Sequence, residues 1–80
     1  MERTDILEQL QTIFRDVFED DAILLTEETS PADIEDWDSL QQITLTYAVE
    51  EHFGIRFTTD EIVGMKNVGD FVTAIGGKIT

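Results

Sequence analysis

The sequence predicts an all-α fold: a small four-helix bundle with three longer helices, one short one, and a long loop between the first and second. Three observations predict it. Apolar residues recur at helical spacing in several segments. The one strand-like stretch, Ile55-Arg56-Phe57, has no credible partner strand. A chain of 80 residues with 41% apolar content fills one modest core, and helices packed on helices are the simplest way to build it.

The first helix is the clearest. Ile6, Leu7, Leu10, Ile13, Phe14, Val17 and Phe18 follow the helical period, which predicts a helix over about residues 5–19. Thr4 or Asp5 is the expected cap, with Asp5 and Glu8 in capping-box spacing. Residues 20–38 keep no period, and Ser30-Pro31 marks a turn. Connections of this length are usually functional or anchored, and Ile23, Leu24, Leu25, Ile34 and Trp37 are the expected anchors.

A second helix is expected to start at Ser39. Leu40, Ile43 and Tyr47 trace its apolar stripe, Leu45 and Val49 widen it, and Gly54 supplies the C-terminal stop. Ile43, Tyr47 and Val49 are expected to line the bundle. After the connector, Thr58, Thr59 or Asp60 caps a brief turn over about residues 60–65. Asn67 and Asp70 repeat a side-chain capping pattern and open a last helix with Val68, Phe71, Val72 and Ile75 on one face, ended by Gly76-Gly77.

Charge narrows the function classes. Eighteen acids against five bases give a net charge of −13, and between positions 16 and 55 twelve acids meet no Lys or Arg. Phosphate backbones need cationic neutralisation, so nucleic acid is excluded as an expected partner, and anionic membrane surfaces are disfavoured. Partners with basic patches fit the field. No run reaches the length of a membrane-spanning helix and the first ten residues lack a signal-peptide core, so a cytoplasmic monomer without membrane insertion is expected. There is no cysteine, hence no disulfide, thiolate nucleophile or cysteine-based zinc site. Calcium loops of the EF-hand type need a turn glycine, and none precedes Gly54; no metal site is expected.

Catalysis is poorly supplied. His52 is the single histidine, and Ser39 lies thirteen positions earlier on the same expected helix. That separation is about 20 Å along the axis, so the two cannot act together. Ser39 itself has two readings. It can cap the helix, with Gln42 completing a capping box. It can also be a hydroxyl offered to another enzyme, at a helix tip whose free amides and dipole stabilise an attached anion.

The stretches around it carry a resemblance. Asp38-Ser39-Leu40 opens the second helix, and Glu50-Glu51-His52-Phe53-Gly54-Ile55 closes it. Thr59-Asp60-Glu61-Ile62 and Asn67-Val68-Gly69-Asp70-Phe71-Val72 begin the next two. In this order and spacing they resemble the acyl carrier protein family over nearly the whole chain. The resemblance implies residues 1–80 as a single acyl-carrier domain, not an enzyme but a substrate of other enzymes. It implies that Ser39 receives 4′-phosphopantetheine from coenzyme A and that the arm's thiol holds acyl groups as thioesters. It implies partners as well: a phosphopantetheinyl transferase, and acyl-loading, condensing or acyl-transfer enzymes with basic docking patches. Asp38, Leu40, Gln41, Thr44, Glu50 and Glu51 are the implied contact residues.

Two departures bear on the pathway. Gln41 and Thr44 stand where fatty-acid carriers commonly have acids, and Trp37 is similar to the "WDS" motifs of specialised carriers. Both lean towards a specialised lipid or secondary-metabolite pathway; Trp37 itself is read as a packed anchor. The alternative is an acidic helical adaptor whose serine stays unmodified.

Overall fold

The apolar stripe of the first helix organises the molecule. In the computed structural model, which describes residues 2–79, that helix is α1 (Arg3–Phe18), followed by α2 (Ser39–Phe53), α3 (Thr59–Gly64) and α4 (Val68–Ile79), with no strand among the described residues. Helix α1 packs against both α2 and α4. Its Ile6, Leu10, Ile13 and Phe14 are buried, and they meet Leu45 and Val49 of α2 and Val68, Phe71, Val72 and Ile75 of α4 in one core. Phe14 is at the centre. Its ring meets Trp37 edge-on at 5.1 Å, Phe18 at 5.8 Å and Phe71 edge-on at 6.4 Å. Edge-to-face aromatic pairs add about 0.5–1.5 kcal/mol beyond the area they bury.

The ends of α1 differ from expectation. The helix starts at Arg3, because Glu2 takes the extended cap conformation and its N–H donates to the Asp5 carboxylate at 3.3 Å. Asp5 therefore serves the first turn from inside the helix instead of capping it. Glu19 closes the other end in the left-handed region at φ 52°.

The long loop is pinned from both sides. Arg15 Nε donates to the Ile23 carbonyl at 2.8 Å, and the Leu25 N–H donates to Gln11 Oε1 at 2.9 Å. Ile23, Leu25 and Trp37 are buried as anchors and Ile34 packs against them, but Leu24 is exposed. Burial alternates along residues 23–25, so only Ile23 and Leu25 reach the core. Farther on, the Val68 and Gly69 N–H groups donate to the Thr29 and Glu27 carbonyls, each at 2.8 Å. A Cβ on Gly69 would stand 3.0 Å from the Glu27 oxygen, so a side chain there would crowd this contact and push the two backbones apart by a few tenths of an ångström. Arg3 clamps the same corner, its guanidinium on the Glu27 carboxylate and 3.2 Å from Thr73 Oγ1.

Helix α3 is capped by Thr58, whose hydroxyl accepts from the Glu61 N–H at 3.2 Å while the Glu61 carboxylate accepts from the Thr58 N–H at 2.8 Å. None of its residues is buried. Asn67 Oδ1 accepts from the Asp70 N–H at 2.9 Å at the start of α4, as its spacing implies. The last helix does not stop at Gly76-Gly77 but runs to Ile79. Each helical glycine costs about 1 kcal/mol relative to alanine, and tertiary contacts offset it. Gly76 lies beneath Ile6, whose Cδ1 would be 3.7 Å from an added Cβ, and Lys78 reaches Glu61 at 3.0 Å.

Phe14→Ala removes the ring on which the helices and loop converge. A loss of about 3–5 kcal/mol is expected in urea unfolding, a large share of the ~4–12 kcal/mol typical of a domain this size. Glu61 gives a second test. Its carboxyl is held below the ordinary carboxylate range by the Thr58 N–H first and by Lys78 next. A carboxyl lowered by folding adds stability at pH above its unfolded pKa and loses it as pH falls through the folded one. The destabilisation caused by Glu61→Gln should therefore be largest near neutral pH and shrink in acid. A deficit that does not change with pH would contradict this.

Candidate functional site

The chain turns sharply into α2. The Trp37 N–H donates to the Ile34 carbonyl at 3.1 Å and the Asp38 N–H to the Asp36 carbonyl at 3.2 Å. Trp37 is 5% exposed, and its indole is held between Phe14 and Phe71. The helix that follows is capped by Asp38, whose extended backbone (φ −112°) lets its carboxylate accept from the Gln41 N–H at 2.8 Å. This corrects the expectation that Ser39 caps and Gln42 completes the box. Ser39 is already inside the helix, and the Gln42 side chain is taken by Trp37, whose indole N–H donates to Gln42 Oε1 at 2.6 Å. The Ser39 hydroxyl is left exposed and without a partner among the described residues. The amides of Ser39 and Leu40 likewise find no acceptor there.

Helix α2 is apolar on two sides. Leu45, Thr46 and Val49 are buried, while Leu40, Ile43 and Tyr47 are 70%, 66% and 62% exposed. Ile43 and Tyr47 therefore do not line the bundle as expected. Positions 43 and 45 are about 200° apart around a helix, so one core cannot take both, and α1 takes the face carrying Leu45 and Val49. Of the residues implied as contacts, Asp38, Leu40, Thr44 and Glu51 are exposed and Gln41 is half-buried. Glu50 is turned inward, where its Oε2 accepts from the Phe57 N–H at 2.8 Å and its other oxygen lies 3.8 Å from Arg56. His52 is exposed and pairs through Nε2 with Gln9 Oε1 of α1 at 2.7 Å.

Beside Ser39 a cleft of about 410 Å³ opens between α2 and α3, walled by Trp37, Gln42, Ile62, Val63 and Met65. Gln42 Nε2 is buried there and has no hydrogen-bond partner among the described residues. An unsatisfied buried donor costs about 1–3 kcal/mol. Sequence reasoning missed Gln42 in this role because it assigned the side chain to the cap; its spacing of five from a tryptophan was the available signal.

Compared with known proteins, residues 8–75 match the family described as "Phosphopantetheine attachment site". The chain belongs to the acyl carrier protein family. The acyl carrier protein of Thermosynechococcus vestitus is 32% identical over 79 residues, covering 99% of this chain and 98% of that one. Acyl carrier protein 2 of Ralstonia nicotianae is 31% identical over 75 residues, covering 94% and 93%. In three dimensions the chain is similar to the solution NMR structure of holo acyl carrier protein from Geobacter metallireducens, with a TM-score of 0.87 and 45% identity over 91% of this chain and 84% of that one.

An acyl carrier protein is a carrier and not an enzyme, and its prosthetic group is 4′-phosphopantetheine. The surroundings of Ser39 suit such a group. The hydroxyl faces outward, two amides at the helix tip can meet a phosphate, and the adjoining cleft has apolar walls. No helix among the described residues is long and apolar enough to cross a membrane.

The division of labour at the tip of α2 is directly measurable. Asp38→Ala should cost about 1 kcal/mol in chemical unfolding, as the loss of a side-chain cap does. Ser39→Ala should stay within about 0.5 kcal/mol of the parent, as exposed substitutions without such a role do. The reverse pattern would return the cap to Ser39.

Proposed function

We propose that residues 1–80 act as one acyl-carrier domain in which Ser39 bears the 4′-phosphopantetheine arm and the arm's thiol holds acyl groups as thioesters. The observation that carries this reading is the exposed, unpartnered Ser39 hydroxyl at a helix tip with free amides. Transfer from coenzyme A forms the bond between Ser39 Oγ and phosphorus, breaks the pyrophosphate link, and releases the nucleotide 3′,5′-bisphosphate. The absence of cysteine accords with a reactive sulfur that arrives with the arm.

The docking surface in this reading is the outer face of α2. Leu40, Ile43 and Tyr47 form its apolar line, Gln41 and Thr44 border it, and Asp38 and Glu51 mark its ends. Glu50 contributes by holding the connector after α2 in place. No acid occurs along α2 between Ser39 and Glu50. A phosphopantetheinyl transferase or an acyl-loading, condensing or acyl-transfer enzyme that docks here therefore needs an apolar groove as well as a basic rim. The neutral face supports a specialised lipid or secondary-metabolite pathway over bulk fatty-acid synthesis.

Incubation with a broad-specificity phosphopantetheinyl transferase and coenzyme A should raise the intact mass by one arm, and Ser39→Ala should abolish the gain. An unchanged mass with several transferases would overturn the assignment and favour the unmodified adaptor. A gain that survives in Ser39→Ala would move the attachment elsewhere.

A further inference from the structure

We infer that the side-chain amide of Gln42 donates a hydrogen bond to a carbonyl oxygen of the chain carried on Ser39, within the cleft between α2 and α3. The inference rests on the proposed attachment at Ser39 and goes beyond it to the chemistry the cleft selects.

The orientation of Gln42 follows from its neighbour. An indole nitrogen is a donor only, and at 2.6 Å from Trp37 Nε1 the Gln42 terminus must present its oxygen. A flipped amide would set two donors against each other. Trp37 cannot move away to relieve this, because its indole is buried between Phe14 and Phe71. The two N–H bonds of Nε2 are thus turned away from Trp37, and they meet no acceptor among the described residues.

The surroundings decide what would answer them. Gln42 follows Ser39 by three positions, which places both on one side of α2 within about 5–6 Å between Cβ atoms. Pro31, Ile62, Val63 and Met65 supply the other walls of the cleft, and none has a side-chain acceptor stronger than a thioether. Asp38 gives its Oδ1 to the Gln41 N–H, and neither of its oxygens bonds Gln42 Nε2. Nε2 is sealed from bulk solvent, so water does not satisfy it from outside. A plain alkyl chain filling the cleft would leave it unpaired, whereas a chain carrying a carbonyl would not.

Access is built into the opposite wall. Helix α3 has no buried residue and Val63 is 75% exposed, so a chain can part α3 from α2 without breaking the core. The carbonyl has three sources of the same chemistry: the amide groups of the arm itself, the thioester that joins any acyl group to it, or an oxo group on the acyl chain.

The test loads uniformly ¹⁵N-labelled protein, through a phosphopantetheinyl transferase, from coenzyme A, hexanoyl-coenzyme A or 3-oxohexanoyl-coenzyme A. Intact mass confirms each load, and the Gln42 NH₂ resonances, assigned against Gln42→Leu, are followed together with the single indole N–H. A downfield shift and slowed solvent exchange of the Gln42 amide protons confined to the 3-oxohexanoyl form would identify the cargo oxo group as acceptor. The same change in all three loaded forms would identify an amide of the arm, and a change in both acylated forms but not in the form loaded from coenzyme A would identify the thioester carbonyl. Because the resonances are read in the parent protein, the result stands even if Gln42→Leu folds poorly. Unchanged Gln42 amide protons in forms whose mass shows the load would overturn the inference while leaving attachment at Ser39 intact. Failure of every form to gain mass would instead remove the attachment and this inference with it.

Discussion

The edge-on contact between Trp37 and Phe14 is the constraint on which the geometry of the site depends. The loop from α1 to α2 runs across the molecule with little regular structure, and its far end must deliver a serine to a fixed place. Burying the indole against the most central ring of α1 fixes residue 37, and the next two residues form the cap and the exposed hydroxyl. The same indole orients Gln42 through its nitrogen. One aromatic side chain thereby sets the position of the helix tip, the exposure of Ser39 and the polarity of the adjoining cleft.

Around that contact the molecule divides into a rigid part and a looser one. Helices α1 and α4 share most of the core, and the loop is stitched to α4 by two backbone hydrogen bonds and the Arg3–Glu27 clamp. Helix α3 holds on differently, through the Glu61–Lys78 ion pair to α4 and the packing of Met65 just after it, without contributing a buried side chain of its own. Surface ion pairs of this kind are worth little, with a typical range of about 0–1 kcal/mol. The cleft beside Ser39 therefore has one wall fixed by packing and another that yields easily.

Much of this was legible in the sequence, and what was not has physical causes. The stripe of α1 and the face of α4 each have one apolar side, so periodicity gave both their helical state and their buried residues. Helix α2 has two, and Leu40, Ile43 and Tyr47 looked as fit for the core as Leu45 and Val49; only the position of α1 decides between them. At the tip, Asp38 and Ser39 are equally good capping types in adjacent places, and the backbone conformation chooses the first. Gly76 and Gly77 read as a stop because glycine disfavours helices, yet Ile6 packs over the turn that contains them. The exposed hydroxyl of Ser39 was legible. The role of Gln42 was not, since it depends on where an indole nitrogen points.

The two-sided character of α2 has an evolutionary consequence. Substitutions at Leu40, Ile43 or Tyr47 act on what the helix meets outside, whereas those at Leu45 or Val49 act on whether the bundle forms. Selection can therefore revise one ledger without disturbing the other, and carriers sharing this scaffold are free to drift towards new enzymatic neighbours while their interiors stand still.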